Sequence, residues 1–554
     1  MNMEEIDPEK VKKILIRVPN WVGDAVMAIP ALSAIRERFR SSQITLLGPA
    51  SVLEIYQGNP LADHFIEMPK KKGLVGILSK WELAGTLRSE KFDLAILFQN
   101  AFEAALLSRL AAIPLRLGYG RDGRSFLLTH AVKLPAEKDH QSEYYLELAG
   151  TIPGVSSKRK EAPLFVTPSE NKQAALVLGI HGIKSGDLLI GMNAGAAYGT
   201  AKRWSPERFA GIGTRLIREK KAKLILFGGP EERNVADWIS KEVGDGVLNL
   251  AGTTSMRELM AFLSRCTHFI TNDSGPMHLA NALKVPLVAI FGPTDWVNTA
   301  PSGGKFILVR KGVACAPCLL RDCPVDHSCM NEVTEEMVYS AVEGQLDLSK
   351  PSAPSSAPAV FLDRDGTINE DPGYVSREED FKVFPFVRDS FLQLKKTGAK
   401  VFVVSNQSGI ERGYFPISLL SRLQVKLEEL CDENSKLIQG FYYCFHRPEA
   451  GCLCRKPQPG MIFEVLKKFP IDLANSFMVG DQMTDLELAA RAGVKGVLVL
   501  TGKGKRTLSR LEKRDDLKPA FIAENLLEAS KWIASRIQER LPGNAAEGGH
   551  PHAP

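Results

Sequence analysis

Asp363 and Asp365 stand two residues apart in Asp363-Arg364-Asp365-Gly366-Thr367, directly after the apolar run Val360-Phe361-Leu362. Open parallel sheets collect ligand sites at the carboxyl ends of their strands, so both carboxylates are expected at such an end. One carboxylate can attack a phosphoryl group, and the other can protonate the leaving oxygen and then activate water. Mg²⁺ would offset the repulsion between the attacking and attacked anions. An Asx-type turn with capping aspartates is the plainer alternative. Two further apolar runs end in suitable groups: KVFVVSNQSG brings Ser405, Asn406 and Gln407, and SFMVGDQMTD brings Asp481 and Asp485. Arg455-Lys456-Pro457 adds fixed positive charge for the transferring group.

Cys444-x-His446-x5-Cys452-x-Cys454 places three thiols and one imidazole in one loop. That donor set suits tetrahedral Zn²⁺ and leaves no position for water, so a structural ion is expected, ordering the segment that presents Arg455 and Lys456. Buried thiols without metal are the alternative. Cys315-x2-Cys318-x4-Cys323-x5-Cys329, with His327 nearby, is a second candidate set for Zn²⁺ or an iron–sulfur cluster, or else a reduced cluster.

Nearer the start, residues 14–18 read as a strand that leads through Pro19-Asn20-Trp21-Val22-Gly23 to Asp24 and a helix with apolar residues at helical spacing. Asp24 is either a capping carboxylate or a general base for an attacking sugar hydroxyl. The strand HFIT runs into Asn272-Asp273-Ser274-Gly275-Pro276-Met277-His278. Pro276 suits a first helical position and Gly275 admits a ligand to the free amides, an anion site into which a diphosphate fits. LLIGMNAG feeds Gly199-Thr200-Ala201-Lys202-Arg203, whose paired cations could neutralise a departing nucleoside diphosphate. There is no P-loop or complete GxGxxG, which counts against a kinase or a dehydrogenase.

Short apolar strands alternate with helical patterns throughout the 554 residues, the signature of an α/β chain on parallel sheets and of several domains. Residues 348–358, rich in Pro, Ser and Ala, read as a linker between residues 1–347 and 359–542. A weaker break divides the first part into lobes 1–165 and 166–347, and the tail 543–554 is expected to be disordered. The net charge of +6 hints at anionic ligands but is too sparse to call for nucleic acid. The acidic, polar start and the lack of a membrane-length apolar run suggest a cytoplasmic protein.

The motifs DRDGTINEDPGYV, SNQSGIERGYF, CRKPQPGM and GDQMTD resemble those of the haloacid dehalogenase superfamily, and with the cysteine loop those of its D,D-heptose 1,7-bisphosphate phosphatase group. The resemblance implies Asp363 as nucleophile and Asp365 as general acid/base. Ser405 and Lys456 would hold phosphoryl oxygens, and Mg²⁺ would sit on Asp363, Asp481 and the carbonyl of Asp365. Asp371, Pro372, Gly373, Tyr374, Ser405 to Ser408, Arg455 and Gln482 would line the sugar phosphate. Gln482 stands where a basic residue is often expected. A histidinol-phosphate phosphatase is the related alternative.

WVGDAVMAIPALSAI, GAAYGTAKRWSPERFA, FGGPEE, NDSGPMHLANAL and FGPTD resemble the lipopolysaccharide ADP-heptose heptosyltransferases, nearest the heptosyltransferase II group, over residues 12–345. The resemblance implies a two-lobed GT-B fold and inverting transfer from ADP-heptose to a lipid A-core acceptor. Asp24 would be the base, Thr200 and Lys202 would meet phosphate, and Asp273, Ser274, Gly275 and His278 would hold the diphosphate and heptose. Glu231 or Glu232 would meet the ribose. Lys70 to Lys72, Arg116, Arg121 and Arg124 are candidates for acceptor anions, or else solvated surface charge. A peripheral stay at the inner membrane face suits such a protein. A first part that binds nucleotide sugar without turnover is the non-enzymatic alternative.

Overall fold

The structure, a computed structural model, describes residues 6–69, 73–135, 140–159, 164–350, 356–431 and 437–539. Lys70 to Lys72, the middle of the expected linker and the tail 543–554 lie outside the described residues. Strands that are apolar at successive positions cannot face water on either side, so they occupy the middle of sheets covered by helices on both faces. Among the described residues three such sheets form, each of six strands.

The first contains β1 (Lys13–Arg17), β2 (Gln43–Gly48), β3 (His64–Glu67), β4 (Leu94–Leu97), β5 (Leu115–Tyr119) and β6 (His130–Val132), in the order β3-β2-β1-β4-β5-β6. All its pairings are parallel. The second contains β7 (Leu189–Asn193), β8 (Lys223–Leu226), β9 (Val247–Asn249), β10 (His268–Asn272), β11 (Leu287–Phe291) and β12 (Phe306–Arg310), in the order β12-β11-β10-β7-β8-β9. The third contains β13 (Ala359–Leu362), β14 (Lys400–Asn406), β15 (Ile438–Cys444), β16 (Phe477–Gly480), β17 (Lys495–Val499) and β18 (Phe521–Ala523), in the order β15-β14-β13-β16-β17-β18. It too is parallel throughout.

The chain packs as two compact units, one of Met1–Phe306 with Val313–Glu335 and one of Ile307–Gly312 with Glu336–Pro554. In each sheet the first strand in sequence lies beside a strand from the other half of the order: β1 beside β4, β7 beside β10, β13 beside β16. These are the positions where chain direction around the sheet reverses and a crevice opens at the carboxyl ends. The segments after β1, β7, β10 and β13 are the ones that carry Asp24, the Lys202 turn, Asp273 and Asp363.

Candidate active sites

Asp24 lies in the first turn of the Val22–Met27 helix, and no side chain caps that helix. His278 lies in the Gly275–Ala282 helix. The two helices pack closely because glycines face each other's neighbours. A β-carbon on Gly23 would fall 2.9 Å from the His278 ring, and one on Gly275 would fall 2.8 Å from Cβ of Val22. Burial raises the Asp24 carboxyl to about 6, with Lys202 lowering it and Asp273 raising it further. Burial pushes His278 down to about 4, so its imidazole is neutral at pH 7.

Asp273 follows β10 and is buried. Its Oδ2 accepts from Lys202 Nζ at 2.8 Å and from the Thr294 hydroxyl at 2.6 Å. Ser274 caps the Gly275–Ala282 helix by position, and its hydroxyl accepts from Asn193 Nδ2 at 3.2 Å. Glu232 lies over the backbone after β7: a β-carbon on Gly195 would fall 2.0 Å from its Oε1. Asp24, Lys202, Asp273 and His278 therefore share one site, with Thr294 a member that sequence reasoning passed over.

Lys202 is held from beneath. Its ammonium stands 4.9 Å from the centre of the Tyr198 ring, and the Arg321 guanidinium stands 5.2 Å from the same ring. The Arg321 carbonyl accepts from the Ala201 amide at 2.9 Å, Asp322 accepts from the Thr200 hydroxyl at 2.6 Å, and His327 Nε2 lies 2.6 Å from the Ala201 carbonyl. The segment that carries the candidate cysteine set thus braces the turn that presents Lys202. Thr200, expected at phosphate, is engaged by Asp322. Cys315 and Cys318 are exposed, Cys323 is half-buried and Cys329 is buried. Among the described residues their four sulfurs do not gather within metal-ligand reach of one another. His327 faces the Lys202 turn.

Arg124 is neither an acceptor contact nor solvated surface charge, and Arg116 is engaged by its own loop. Arg124 is fully buried, donating to the carbonyl of Tyr119 at 3.0 Å and to Asn100 Oδ1 at 2.8 Å. Arg116 donates to the Leu127 carbonyl at 2.8 Å. Both guanidiniums satisfy loop carbonyls that would otherwise be orphaned. Arg121 is exposed and lies beside Asp122.

In the second unit, Asp363 follows β13 and is buried with Lys456, Asp481 and Asp485. Lys456 Nζ bridges Asp363 Oδ1 and Asp485 Oδ1, at 2.7 Å each. Asn406 fixes the lysine's backbone, accepting from its amide at 3.0 Å and donating to its carbonyl at 3.2 Å. Burial raises Asp363 to about 6 and Asp481 to about 8, the other carboxylates adding to it and Lys456 opposing. Lys456 is held above its ordinary range by Asp363 and Asp485.

Asp363, Asp481 and Asp485 bring carboxylate oxygens within 4.8 Å of one another. Asp481 Oδ1 is buried without a hydrogen-bond partner. Three acids against one lysine, with an orphaned oxygen among them, fit a divalent cation of the Mg²⁺ type. The Asp365 side chain is held by Arg364 at 2.8 Å, Gln407 at 2.7 Å and Asn369 at 3.0 Å, which leaves its backbone carbonyl as the expected metal contact. Asp485 is a third carboxylate beside Asp363 and Asp481, without an expected metal role. Its sequence signal is its spacing, one helical turn beyond Asp481 at the start of the Met483–Ala492 helix.

Gly366 passes so close to Asp481 that a β-carbon would fall 2.3 Å from Oδ2, and its φ of +85° is one that glycine adopts freely. Ser405 is buried and its hydroxyl accepts from Gln407 at 2.9 Å; Ser408 is buried nearby in the chain. Asp371 pairs with Lys503 at 2.6 Å, while Pro372, Gly373 and Tyr374 are exposed. Gln482 caps the Met483–Ala492 helix by position. Arg455 donates to the His446 carbonyl at 2.9 Å.

Cys444, His446, Cys452 and Cys454 converge with all ligand atoms within 4.8 Å. The sulfur of Cys452 lies 3.5 Å from that of Cys444 and 3.4 Å from that of Cys454, and His446 Nδ1 lies 3.3 Å from the Cys454 sulfur. A tetrahedron of ligands about 2.3 Å from Zn²⁺ has edges of about 3.8 Å, so the cluster fits that ion with little adjustment.

Comparison with known proteins places both sites in context. The family model described as glycosyltransferase family 9 (heptosyltransferase) matches residues 80–328, and the HAD-hydrolase-like model matches residues 453–529. The lipooligosaccharide heptosyltransferase 2 of Campylobacter jejuni is 31% identical over 340 residues, covering 60% of this chain and 98% of the relative. The D-glycero-beta-D-manno-heptose-1,7-bisphosphate 7-phosphatase of Pseudomonas putida is 42% identical over 152 residues, covering 27% of this chain and 87% of the relative. The chain belongs to both families. The Escherichia coli ADP-heptose lipopolysaccharide heptosyltransferase II structure matches the glycosyltransferase part at a TM-score of 0.52 and 27% identity, covering 60% of this chain and 97% of that one. The glycosyltransferase unit thus carries Asp24 and Lys202, and the phosphatase unit carries the three buried carboxylates.

Proposed function

We infer that the chain is a bifunctional enzyme of lipopolysaccharide inner-core synthesis. Its first unit transfers heptose from ADP-L-glycero-beta-D-manno-heptose to a heptosyl-Kdo2-lipid A core, with inversion. Its second removes the 7-phosphate of D-glycero-D-manno-heptose 1,7-bisphosphate through a phosphoaspartate. The observation that carries this reading is the joint presence, in one chain, of a family 9 unit and a phosphatase unit whose relatives both act on heptose. Histidinol phosphate as substrate and a silent first unit have no comparable support.

In the phosphatase unit Asp363 is the nucleophile. Its carboxylate attacks phosphorus while Lys456 keeps it ionised and steadies the phosphoryl oxygens. Asp365, held by Arg364 and Gln407, protonates the leaving sugar oxygen and later takes a proton from the water that attacks the phosphoaspartate. Asp363, Asp481 and Asp485, with the backbone carbonyl of Asp365, would hold Mg²⁺, whose charge would offset that of the phosphoryl group. Ser405 binds a phosphoryl oxygen, and residues 371–374, Arg455 and Gln482 meet the sugar phosphate. Cys444, His446, Cys452 and Cys454 would hold Zn²⁺, which would order the loop before Lys456.

In the glycosyltransferase unit Asp24 takes the proton of the attacking hydroxyl. A carboxyl raised to about 6 by burial is a stronger base than an exposed one and is ionised at pH 7. Lys202 and the amides at the start of the Gly275–Ala282 helix receive the leaving diphosphate. Neutral His278 and Asp273 hold the sugar side of the donor. No described helix is long and apolar enough to cross a membrane. The proposed substrates place the work of the protein in the cytoplasm, with peripheral contact at the inner membrane face where a lipid-borne acceptor lies.

The deciding experiment is phosphate release with Mg²⁺ from both anomers of heptose 1,7-bisphosphate beside histidinol phosphate. Preference for one heptose anomer is expected, and Asp363→Asn should lower that rate by at least about a thousandfold while leaving transfer intact. Preference for histidinol phosphate would detach the phosphatase from the heptose reading.

A further inference from the structure

No sequence motif singles out Lys503, yet the fold lays it against the phosphatase centre. It ends the turn Thr501-Gly502-Lys503, which follows β17 and leads into the Gly504–Leu511 helix. The strands β13, β16 and β17 are parallel, so that turn leaves the same carboxyl edge of the sheet as Asp363 and Asp481. Three hydrogen bonds fix it there. The Thr501 hydroxyl donates to the Gly366 carbonyl at 2.6 Å, the Lys503 amide to Asp481 Oδ2 at 2.7 Å, and the Thr507 hydroxyl to the Asp481 carbonyl at 2.8 Å. Gly502 permits the approach: its φ is +54°, and a β-carbon there would fall 2.6 Å from Cα of Gly366.

From that buried footing the side chain runs outward. Its amide rests on a fully buried carboxylate, whereas the Lys503 side chain is 50% exposed and its ammonium pairs with Asp371 Oδ2 at 2.6 Å. Asp371 is itself held in place, its Oδ1 accepting from the Gly373 amide at 2.9 Å in the exposed segment that sequence resemblance assigns to the sugar phosphate. Burial opposes the lysine's charge, but Asp371 first, and then Asp481 and Asp363, hold the ammonium above its ordinary range. The cation therefore stands at the rim while facing the nucleophile and its neighbour. An ammonium has three donors, and Asp371 takes one.

The buried centre has no need of this charge. Asp363, Asp481 and Asp485 bring three negative charges, which Lys456 and a divalent ion offset. A sugar bisphosphate carries a second phosphate that is not transferred, and that anion lies away from the nucleophile, toward the rim. Among the residues expected to meet it, Gln482 is uncharged and Arg455 already gives a guanidinium nitrogen to the His446 carbonyl. We propose that Lys503 binds the phosphate that stays on the sugar and so selects bisphosphorylated over monophosphorylated substrates, with Asp371 steering its ammonium. The proposal rests on the heptose bisphosphate reading and names the residue that enforces it. An exposed ion pair by itself contributes little, and what sets this one apart is a backbone built into the cation site.

Binding without turnover tests this directly. In the full chain carrying Asp363→Asn, which cannot form the phosphoaspartate, calorimetric titration in the presence of Mg²⁺ compares heptose 1,7-bisphosphate with heptose 7-phosphate. The bisphosphate should bind more tightly. Adding Lys503→Met should reduce that preference by about ten- to a hundredfold, the worth of a charge-assisted hydrogen bond, and Lys503→Arg in its place should restore most of it. With Asp363 intact, Lys503→Met should raise KM for the bisphosphate far more than it lowers kcat. Equal weakening of both ligands would overturn the proposal, because Lys503 would then only prop Asp481. So would a preference that survives Lys503→Met, and this result would leave the heptose bisphosphate reading standing. Failure of that reading looks different: the chain with Lys503 in place shows no preference for the bisphosphate, and both fall together.

Discussion

Asp24 carries the sharpest consequence at the scale of single residues, because burial that makes it a base also costs stability. Its folded value of about 6 lies above that of an exposed carboxyl, so the folded chain favours the protonated form. The stabilising contribution of that proton is complete at low pH and is lost as pH rises through 6. The base role has the opposite sign: only the ionised form accepts a proton, so transfer kcat/KM should rise through pH 6 and level off above 7. Asp24→Asn should remove transfer at every pH and yet raise stability at pH 8 by on the order of 1 kcal/mol. A variant that melts earlier than the native chain at pH 8, or that keeps the pH 6 rise, would show that Asp24 is a capping group. The residue scale is also where sequence reasoning ran short. The pair Asp363 and Asp365 was legible because two carboxylates after an apolar strand have few other uses. Asp485 was not given a role, since a carboxylate in a first helical turn is an ordinary cap and only the fold reveals Lys456 between it and Asp363. Arg124 was misread for the converse reason: its charge is visible in the sequence, but the loop carbonyls that bury it are not.

The elements follow from pattern more readily than the contacts between them. Runs such as Ile14–Ile16 and Val401–Val404 are apolar at every position, which in chains of this kind means a central parallel strand, and all three sheets were legible from such runs. What a loop braces is not encoded in its own composition. The segment after β12 shows four cysteines to the sequence reader, whereas its structural work runs through the carbonyl of Arg321, the carboxylate of Asp322 and the ring of His327, all bearing on the Lys202 turn. Gly199 is the point of closest approach, where a β-carbon would fall 2.2 Å from the Arg321 carbonyl oxygen. Neither side of that contact is a flexible side-chain end, so backbone must move. Gly199→Ala should therefore displace Lys202 and lower transfer kcat/KM by about ten- to a hundredfold, with weaker binding of ADP and no change in phosphate release. Calorimetric titration with ADP beside the two rate assays checks this; unchanged ADP affinity would mean that the brace does not position Lys202.

At the scale of the whole molecule the described side chains proposed for each reaction fall within one unit. Asp24, Lys202, Asp273 and His278 all fall in Met1–Phe306, and Asp363, Lys456, Asp481 and Asp485 all fall in Glu336–Pro554. Among the described residues, the groups proposed for the two reactions differ in their demands on protonation, since the phosphatase unit gathers buried acids around a cation site while the transferase unit sets Asp24 and Asp273 beside Lys202 and a neutral imidazole. Substitutions should then be separable in the strict sense. An equimolar mixture of Asp24→Asn and Asp363→Asn chains should show both activities, each at about half the specific activity of the same total amount of native chain, because half the molecules retain each intact unit. The comparison discriminates among three arrangements. Half-activity for both reactions means that the units work independently. Full activity in the mixture would require that inactive units be rescued by exchange between chains, and activity well below half would require that an inactive unit suppress its neighbour. Only the first outcome is compatible with the proposal that each reaction draws its side chains from one compact unit.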